Sequence, residues 1–460
     1  MTNEELLKRV EDLETALLER DALIAKLLAE NSELKRRLNQ DSSNSSKPPS
    51  LDGFKRATPK SLRQKSGKRR GGQKGRFGKT LTQVDNPDEI IVHRVLECTN
   101  CNTSLENVEA DWVDKRQVFE VPEPKMNIIE HRRERKFCPS CDHSNAAQFP
   151  AGVEQPLQYG PRAKALVVYL QNYQLLPYER LSEFFEDIFG SPISQGTVFN
   201  VTKTAYRNLS PFETEIKELL KDSLVLNSDE SGLRVGTKLN WLHTVSNEHL
   251  TFYHVHEKRG TEAIEAAGIL PLFKGTLVHD CWSSYFAYNF DHALCNAHLL
   301  RELNGIIETT EHQWARQMLD FLRKVNKANN ETDMGISESE AKKYVDEYQE
   351  ILNVGYIETG GPPPFEKSLA RNLWERFLLR ENQVLRFIHD PNVPFDNNQA
   401  ERDLRMIKVK QKVSGCFRSK EGADCFARIR GYVSTMKKQA KNIMDALIFA
   451  MQGQPVSPNQ

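Results

Sequence analysis

The chain has 460 residues, of which 38% are hydrophobic and 27% charged; this composition argues against a wholly disordered chain or a coiled-coil rod and suits two to four domains of roughly 100 to 200 residues. No apolar run approaches the roughly 18 to 20 residues that cross a bilayer, so no membrane span is expected. Lys plus Arg and Asp plus Glu both number 63, but residues 53–84 contain eleven Lys or Arg and no acid, so a basic segment is joined to acidic domains whose formal charge is −11.

Residues 4–39 form the first predicted element, a helix whose apolar residues recur with the alternating spacing of four and three that defines a heptad. Asn31 occupies an a position, where a buried pair of amides can specify a parallel dimer in register. The segment is longer than an ordinary globular helix, so residues 1–40 are interpreted as a coiled-coil zipper rather than as an amphipathic helix packed on its own protein. It lacks the basic-then-apolar pattern of a signal peptide, which predicts a cytoplasmic protein. The apolar heptad positions are Leu6, Val10, Leu13, Leu17, Ile24, Leu27, Leu34 and Leu38.

Residues 41–84 are predicted to be a flexible basic linker, because Ser, Asn, Pro, Gly, Lys and Arg dominate and little apolar surface is available to bury. Each Lys or Arg placed on a phosphate releases condensed counterions, so this segment is expected to bind nucleic acid with salt-sensitive and largely sequence-independent affinity. The alternative is a solvated linker without a ligand. The candidate DNA-binding residues here are Lys68, Arg69, Arg70, Lys74 and Arg76.

Two Cys-x-x-Cys pairs define the next segment, residues 85–155. Four thiolates hold zinc tetrahedrally, and in a reducing compartment such pairs favour a metal over a disulfide. The pairs flank 36 residues, more than the usual spacing of roughly 15 to 20, and alternating stretches at 116–121 and 126–131 predict the hairpins of a ribbon-like module. Four protein ligands close a zinc site, so the predicted metal is structural, with unliganded thiols as the alternative. The candidate ligands are Cys98, Cys101, Cys138 and Cys141.

Residues 156–221 are predicted to be helical. A helix at 180–188, a Phe-Gly-Ser-Pro turn and a second helix at 194–207 with Ser194 as N-cap give a helix-turn-helix pattern. Such a pattern can place a recognition helix in a major groove, although the same arrangement also occurs in helical bundles that bind no DNA.

From residue 222 onward the pattern changes to short β-rich segments, which predict three sequential antiparallel strands, a helix and two further strands. This is the element order of a ribonuclease H-like fold, and the core is expected to span residues 222–445, followed by a C-terminal tail at 446–460. The predicted strands are 223–228, 239–246, 250–256, 275–278 and 293–295, and the predicted helix is 261–267.

Two carboxylates are candidates for chemistry because Asp229 is expected to close the first strand and Asp280 the fourth, and these strands are neighbours in that topology. Phosphoryl transfer uses hard oxygen ligands for magnesium, and two metal ions can clamp the attacking and leaving oxygens of an in-line displacement. An isolated Asp at a strand end is most often a cap or turn residue, so the prediction of a metal site depends on the combination of acids and not on any one of them.

A third acid is expected after a mainly helical stretch, which forms an insertion at about 300–390. Asp396 or Asn397 can cap a helix in which Glu401 lies just past the first turn. The same helix carries bases directed at phosphate, with Arg402, Arg405, Lys408 and Lys410 as the DNA-binding candidates.

Motifs spread over almost the whole chain closely resemble those of the transposases of the insertion sequence 66 family, members of the DDE superfamily. Cys281 stands where many members have Gly, and Arg76 stands where a His is common. The resembling segments are the N-terminal zipper, residues 44–53 (NSSKPPSLDG), 71–75 (GGQKG), the two Cys pairs, 229–232 (DESG), 279–285 (HDCWSSY), 295–303 (CNAHLLREL) and 396–402 (DNNQAER).

The resemblance implies an α/β, ribonuclease H-like catalytic core with a helical insertion and a triad of Asp229, Asp280 and Glu401. It implies a nucleoid-associated transposase that binds the terminal inverted repeats of its element, cuts them with two magnesium or manganese ions and joins the ends to target DNA. A homodimer or higher oligomer is expected, and accessory proteins from the same element are plausible partners. Cys295 and His298 are interpreted as packing residues or supports of the ligands rather than as ligands of a second metal.

Two other functions fit parts of the pattern. A non-catalytic DNA-binding protein could consist of the zinc ribbon, the basic arm and the helix-turn-helix alone. Such a protein has no need of the three carboxylates. A structure-specific nuclease on the same fold cuts DNA without terminal repeats and joins no ends.

Overall fold

The computed structural model describes residues 3–39, 81–332, 335–362 and 368–458. The chain falls into two units, one formed by Lys60–Ile128 and one by Met1–Pro59 with Ile129–Gln460. In the smaller unit, residues 81–128 run as irregular chain with a turn around the first Cys pair. None of the described helices is long and apolar enough to cross a membrane. The basic candidates Lys68, Arg69, Arg70, Lys74 and Arg76 lie outside the described residues.

The larger unit contains helices and a mixed sheet, together with a separate two-stranded hairpin. The helices are α1 (Asn3–Asn39), α2 (Pro161–Val168, continued by a π-helical turn to Tyr173), α3 (Tyr178–Phe189), α4 (Gln195–Asn208), α5 (Ser210–Lys221), α6 (Thr261–Ala267), α7 (Asn296–Thr309), α8 (Gln313–Asn330), α9 (Glu338–Glu358), α10 (Leu369–Leu379), α11 (Glu381–Val384), α12 (Arg386–His389), α13 (Asn398–Ser414), α14 (Lys420–Lys438) and α15 (Ile443–Met451). The strands are β1 (Arg135–Phe137), β2 (Ser144–Ala146), β3 (Val225–Val235), β4 (Lys238–Ser246), β5 (Thr251–His256), β6 (Thr276–His279) and β7 (Asp291–Leu294).

Helix α1 is continuous over 37 residues, which confirms the predicted N-terminal helix. The apolar side chains that the structure describes in its stripe are exposed, and Leu17, Ile24 and Leu34 each leave close to half or more of their surface open to solvent. A long helix that exposes a regular apolar stripe lacks the tertiary packing that normally stabilises helices in water.

The sheet has the order β5-β4-β3-β6-β7. Strands β3, β4 and β5 pair antiparallel, as predicted, while β6 pairs parallel with β3 and with β7. The chain therefore crosses over between β5 and β6, so β3 and β6 become neighbours in the middle of the sheet. Helix α13 packs against β3 and β4, and helix α14 packs against β5.

Helices α7 to α12 lie where the helical insertion was predicted, and they pack around Trp314, Tyr348 and Phe377 in an apolar core that also includes residues of β6 and β7. Tyr348 donates its hydroxyl hydrogen to the carbonyl oxygen of Phe377 over 2.8 Å, which satisfies the one polar atom of a fully buried ring. Gly355 is required where α9 passes Trp374, because a Cβ there would lie 2.5 Å from the indole ring.

The predicted helix-turn-helix elements are present as α3 and α4. Gly190 ends α3 in the left-handed conformation, and the Ser194 hydroxyl caps α4 by accepting the Thr197 N–H over 3.1 Å. These helices belong to the same unit as the sheet, and Arg428 of α14 donates to the carbonyl oxygen of Tyr206 on α4 over 2.9 Å. Helix α15 packs on α2 and spans residue 445, where the core was expected to end.

Two strand predictions are wrong. Residues 116–131 are irregular rather than two hairpin strands, because side chains such as Val118 and Ile128 are exposed and offer no buried face to stabilise a strand. The strand expected to end before Asp229 continues to Val235, so Asp229 lies in mid-strand. Its extension is held by pairing with the whole length of β4, which the local sequence pattern does not reveal.

Candidate active site

Two aspartates meet at the centre of the sheet. Asn227 of β3 lies opposite Val278 of β6 in the parallel register, so Asp229 and Asp280, each two residues further on, come level with one another. Asp280 directly follows β6, as predicted. Desolvation raises the pKa of Asp229 well above its usual range, and the charges of Glu230, Asp280 and Glu401 raise it further. The three predicted carboxylates therefore share one electrostatic environment.

Glu401 reaches this point from the first turn of α13. The helix is fixed to the sheet by Asn397, whose amide donates to the carbonyl oxygen of Ser228 over 2.8 Å and accepts from the Asn227 amide over 2.9 Å. The Asn397 backbone N–H points at the Cys295 sulfur, 3.1 Å away. Asn397 thus occupies the predicted cap position, but its buried side chain ties α13 to β3 instead of capping the helix.

Glu230 is a buried acid to which the sequence argument gave no role. Its side chain is 1% exposed, accepts a hydrogen bond from Arg259 over 2.6 Å, and accepts another from the Tyr285 hydroxyl over 2.8 Å. Burial and the charge of Asp280 raise the pKa of Glu230, while Arg259 opposes the shift. The signal available in the sequence was its place beside Asp229 in the DESG motif.

The turn after β6 orients the Asp280 carboxylate. The Trp282 N–H donates to an Asp280 carboxylate oxygen over 3.1 Å, and the Arg259 guanidinium lies 3.7 Å from the centre of the Trp282 ring. The Cys281 N–H donates to Nδ1 of the buried His279 over 3.2 Å, which leaves Nε2–H of His279 to donate to His292 over 3.1 Å. Burial lowers the pKa of His279 to about 3, so this ring stays neutral.

The basic candidates on α13 divide into exposed and buried side chains. Arg402 and Arg405 are exposed, and Lys408 is partly buried near Asp229; burial lowers the pKa of Lys408 while that carboxylate opposes the shift. Lys410 is buried and donates to the Ser414 hydroxyl over 3.3 Å, so its assignment as a DNA contact is wrong. Helical periodicity turns Lys410 toward the protein, which a count of basic residues does not reveal.

This arrangement suits a divalent cation. Burial, and then repulsion from the neighbouring carboxylates, raise the pKa of Asp229. Oxygen donors are the ligands that magnesium and manganese prefer. Asp229, Asp280 and Glu401 therefore fit such an ion chemically.

The two Cys pairs have the same local turn. Cys98 N–H donates to Thr103 and Cys138 N–H to His143, each over 2.9 Å, and the residue after the second cysteine is left-handed in both turns. Hydrogen bonds from Thr103 lower the pKa of Cys101, and hydrogen bonds led by the Ser140 N–H lower that of Cys138. Each turn thus favours thiolate, the form that binds zinc. The hairpin β1–β2 frames the second pair.

Comparison with known proteins gives three family matches. The transposase IS66 family matches residues 156–425, the zinc-finger binding domain of transposase IS66 matches residues 96–142, and a family of unknown function matches residues 1–82. All four cysteines fall within the zinc-finger match, which supports a structural zinc.

One curated protein is similar over part of the chain. An uncharacterized protein, y4jO, from Sinorhizobium fredii (strain NBRC 101917 / NGR234) is 25% identical over 177 residues, which cover 36% of this chain and 51% of that protein. The match thus spans about half the length of that relative.

Proposed function

The chain belongs to the IS66 family of transposases, and from this premise we propose that it cuts DNA at the terminal inverted repeats of an insertion sequence and joins the freed ends to target DNA. The observation that carries the proposal is the convergence of Asp229, Asp280 and Glu401 from β3, β6 and α13. A non-catalytic DNA-binding protein has no use for acids whose crowding disfavours their charged form.

We assign the sheet and the helices around it to a ribonuclease H-like catalytic core. The sheet order β5-β4-β3-β6-β7, with three antiparallel strands and two parallel ones, supports this assignment. The positions of Asp229 on β3 and Asp280 directly after β6 support it further, because these two strands are neighbours in the sheet.

We assign the triad as the ligands of two divalent ions, magnesium or manganese. When bound, such ions lower the pKa of the attacking hydroxyl and stabilise the leaving oxygen of an in-line displacement. The protein's own part is to hold the ligands: Asn397 fixes the helix that carries Glu401, and the Trp282 N–H orients Asp280. Arg259 and Tyr285 hold the Glu230 carboxylate beside them.

Two reactions follow from this assignment. Hydrolysis adds water oxygen to the phosphorus at the repeat boundary and breaks the bond to the 3′ oxygen, which leaves with a proton as a free 3′ hydroxyl. That hydroxyl then attacks a target phosphodiester and displaces its 3′ oxygen in turn, so no covalent protein intermediate is required. Arg402, Arg405 and Lys408 are assigned to the phosphates of the bound strands, on the same helix as Glu401.

We also assign DNA binding to the basic segment at residues 53–84, which contains eleven basic residues and no acid. Its candidate contacts are Lys68, Arg69, Arg70, Lys74 and Arg76. Helices α3 and α4 are assigned to recognition of the repeats. Cys98, Cys101, Cys138 and Cys141 are assigned to one structural zinc, supported by the zinc-finger match.

The test is cleavage and strand transfer with magnesium on DNA that carries the repeats flanking the gene, comparing the native protein with Asp280→Asn. We expect the native protein to cut at the repeat boundary and join ends, and the variant to bind with the same affinity and do neither. Binding by both proteins without cleavage would favour the non-catalytic function. Cleavage that ignores the repeats and joins no ends would favour the nuclease.

A further inference from the structure

A second set of metal-binding side chains adjoins the triad. A sulfur from Cys295, a ring nitrogen from His298 and a carboxylate oxygen from Glu401 all lie within 4.8 Å of one another. Cys295 directly follows β7, His298 lies in the first turn of α7, and Glu401 comes from α13. Cys295 is also the N-cap of α7, so one helix start and the distant helix α13 together direct three different donor types at one point.

Two of these donors have unused binding capacity. Nδ1 of His298 and Oε1 of Glu401 are both buried and make no hydrogen bond to any residue that the structure describes. They lie 3.8 Å apart, too far for a hydrogen bond. Buried polar atoms are nearly always hydrogen-bonded, so these two facing atoms, of which Oε1 has an ion pair with Arg301 at 3.6 Å but no hydrogen bond, indicate a ligand that contacts both.

The separation and the chemistry of the donors indicate the class of ligand. Zinc binds nitrogen, oxygen and sulfur at about 2.0 to 2.3 Å, which in a tetrahedral site places neighbouring donors roughly 3.3 to 3.7 Å apart. The observed 3.8 Å between nitrogen and oxygen lies just above that range, and all three donors lie within 4.8 Å of one another, so the side chains must draw slightly closer when the ion binds. A set that contains sulfur and imidazole suits zinc or cobalt, whereas magnesium prefers oxygen alone.

We propose that Cys295, His298 and Glu401 form a binding site for a zinc-like divalent cation, distinct from the Cys-pair zinc module. Its occupation draws Glu401 away from the triad and so inhibits the enzyme; this consequence, unlike binding itself, rests on the proposed function. Arg301 is the competing cation, since its guanidinium nitrogen lies 3.6 Å from the same Oε1 of Glu401. The ion must displace this contact and the thiol proton of Cys295 as it binds.

The binding test needs no catalytic activity. Full-length protein whose zinc module is already loaded is titrated with Co²⁺, and ligation by one thiolate is detected as a sulfur-to-cobalt charge-transfer band. We expect one further equivalent of cobalt to bind, and both the band and the equivalent to be lost in Cys295→Ser and in His298→Gln. Cys416→Ser is the matched control, because Cys416 is an exposed thiol outside the cluster and should bind cobalt like the wild type.

His298→Gln keeps the test decisive if the buried Cys295→Ser variant fails to fold, since the His298 side chain is 19% exposed. Arg301→Gln should bind cobalt more tightly than the wild type, because it removes the competing charge. The proposal is overturned if no further equivalent binds at micromolar cobalt, or if His298→Gln shows the same uptake and band as the wild type.

The inhibition arm uses the cleavage assay with excess magnesium. Zinc should inhibit cleavage by the wild type. The zinc concentration that gives the same fractional inhibition of Cys295→Ser should be higher by roughly tenfold or more, because one ligand is lost. Equal sensitivity of the two proteins would contradict the inhibitory role. If the wild type cuts no DNA at all, the proposed function fails. The cobalt titration then still shows whether Cys295, His298 and Glu401 bind a metal ion.

Discussion

Asp229 illustrates how one residue couples stability to function. Desolvation and the charges of Glu230, Asp280 and Glu401 raise its pKa well above the ordinary 3.8. A raised pKa in the folded state means that the folded protein holds this proton more tightly than the unfolded chain does. The resulting stability is fully present below pH 3.8 and is lost as the pH rises through the folded-state pKa.

We therefore expect Asp229→Asn to melt at a higher temperature than the wild type at neutral pH without divalent cations, by roughly 2 to 4 °C for each kcal/mol of relieved repulsion. The difference should narrow as the pH approaches 3.8, and magnesium should raise the melting temperature of the wild type only. Calorimetry across pH measures this, with Asp222→Asn at the exposed end of α5 as the control. An unchanged or lower melting temperature for Asp229→Asn at neutral pH would contradict the electrostatic account.

Cys281 holds a backbone conformation that favours glycine. Its φ is 71°, in the left-handed region, and its half-buried side chain packs against the core of the helical insertion. A left-handed residue other than glycine carries strain of about 1 to 2 kcal/mol. Glycine would adopt this conformation without that strain.

At Cys281 we expect a glycine variant to be more stable than an alanine variant, the opposite of the usual effect of these residues on stability. Both Cys281→Ala and Cys281→Gly lose the packing of the sulfur, but only glycine relieves the strain, so the glycine variant should be more stable by about 1 kcal/mol. Urea unfolding of the two variants measures the difference. Greater stability of the alanine variant would show that this turn carries no strain.

At the scale of elements, the attachment of α13 to β3 decides where Glu401 lies. Asn397 donates to the Ser228 carbonyl and accepts from the Asn227 amide, and both asparagines are buried. Replacing Asn397 by alanine leaves two buried polar groups unpaired, each at a cost of about 1 to 3 kcal/mol.

We expect Asn397→Ala to lower the free energy of unfolding by at least about 2 kcal/mol and to lose cleavage activity more than DNA affinity. Asn398→Ala is the matched control, because among the described residues the Asn398 side-chain amide bonds only to Asp396 in the turn, and it should cost less than about 1 kcal/mol. Denaturation measures the loss of stability, and cleavage and repeat-binding assays compare the loss of activity with that of affinity. Similar losses in the two variants would mean that Asn397 does not position α13.

At the scale of the whole molecule, α1 is the element with the clearest need for a partner. The apolar side chains that the structure describes along it are exposed, including Leu13, Leu27 and Leu38. Synchronous cutting of two transposon ends needs at least two protomers, and a parallel coiled coil through α1 supplies a means to join them.

Deletion of residues 1–39 is therefore expected to convert a dimer into a monomer, as measured by sedimentation, with the melting temperature of the remainder little changed. Asn31→Leu should keep the association but broaden its stoichiometry, because a buried amide pair at an a position specifies a two-stranded register. A deletion variant that sediments as a dimer would place the interface elsewhere.

The local sequence determined much of this protein. Heptad spacing predicted α1, capping and turn residues predicted α3 and α4, and alternation with short apolar runs predicted the strands that carry the acids, because each signal arises within a few residues. The resemblance of whole motifs named the family, which the family match confirms.

Only the tertiary structure decided the rest. The length of β3 depends on pairing with β4, the burial of Glu230 depends on Arg259 and Tyr285, and the inward direction of Lys410 depends on how α13 packs against the sheet. The cluster likewise joins Glu401 to Cys295 and His298, which lie more than a hundred positions earlier in the chain. Contacts between distant segments leave no periodic trace in the sequence, so they become visible only when the chain has folded.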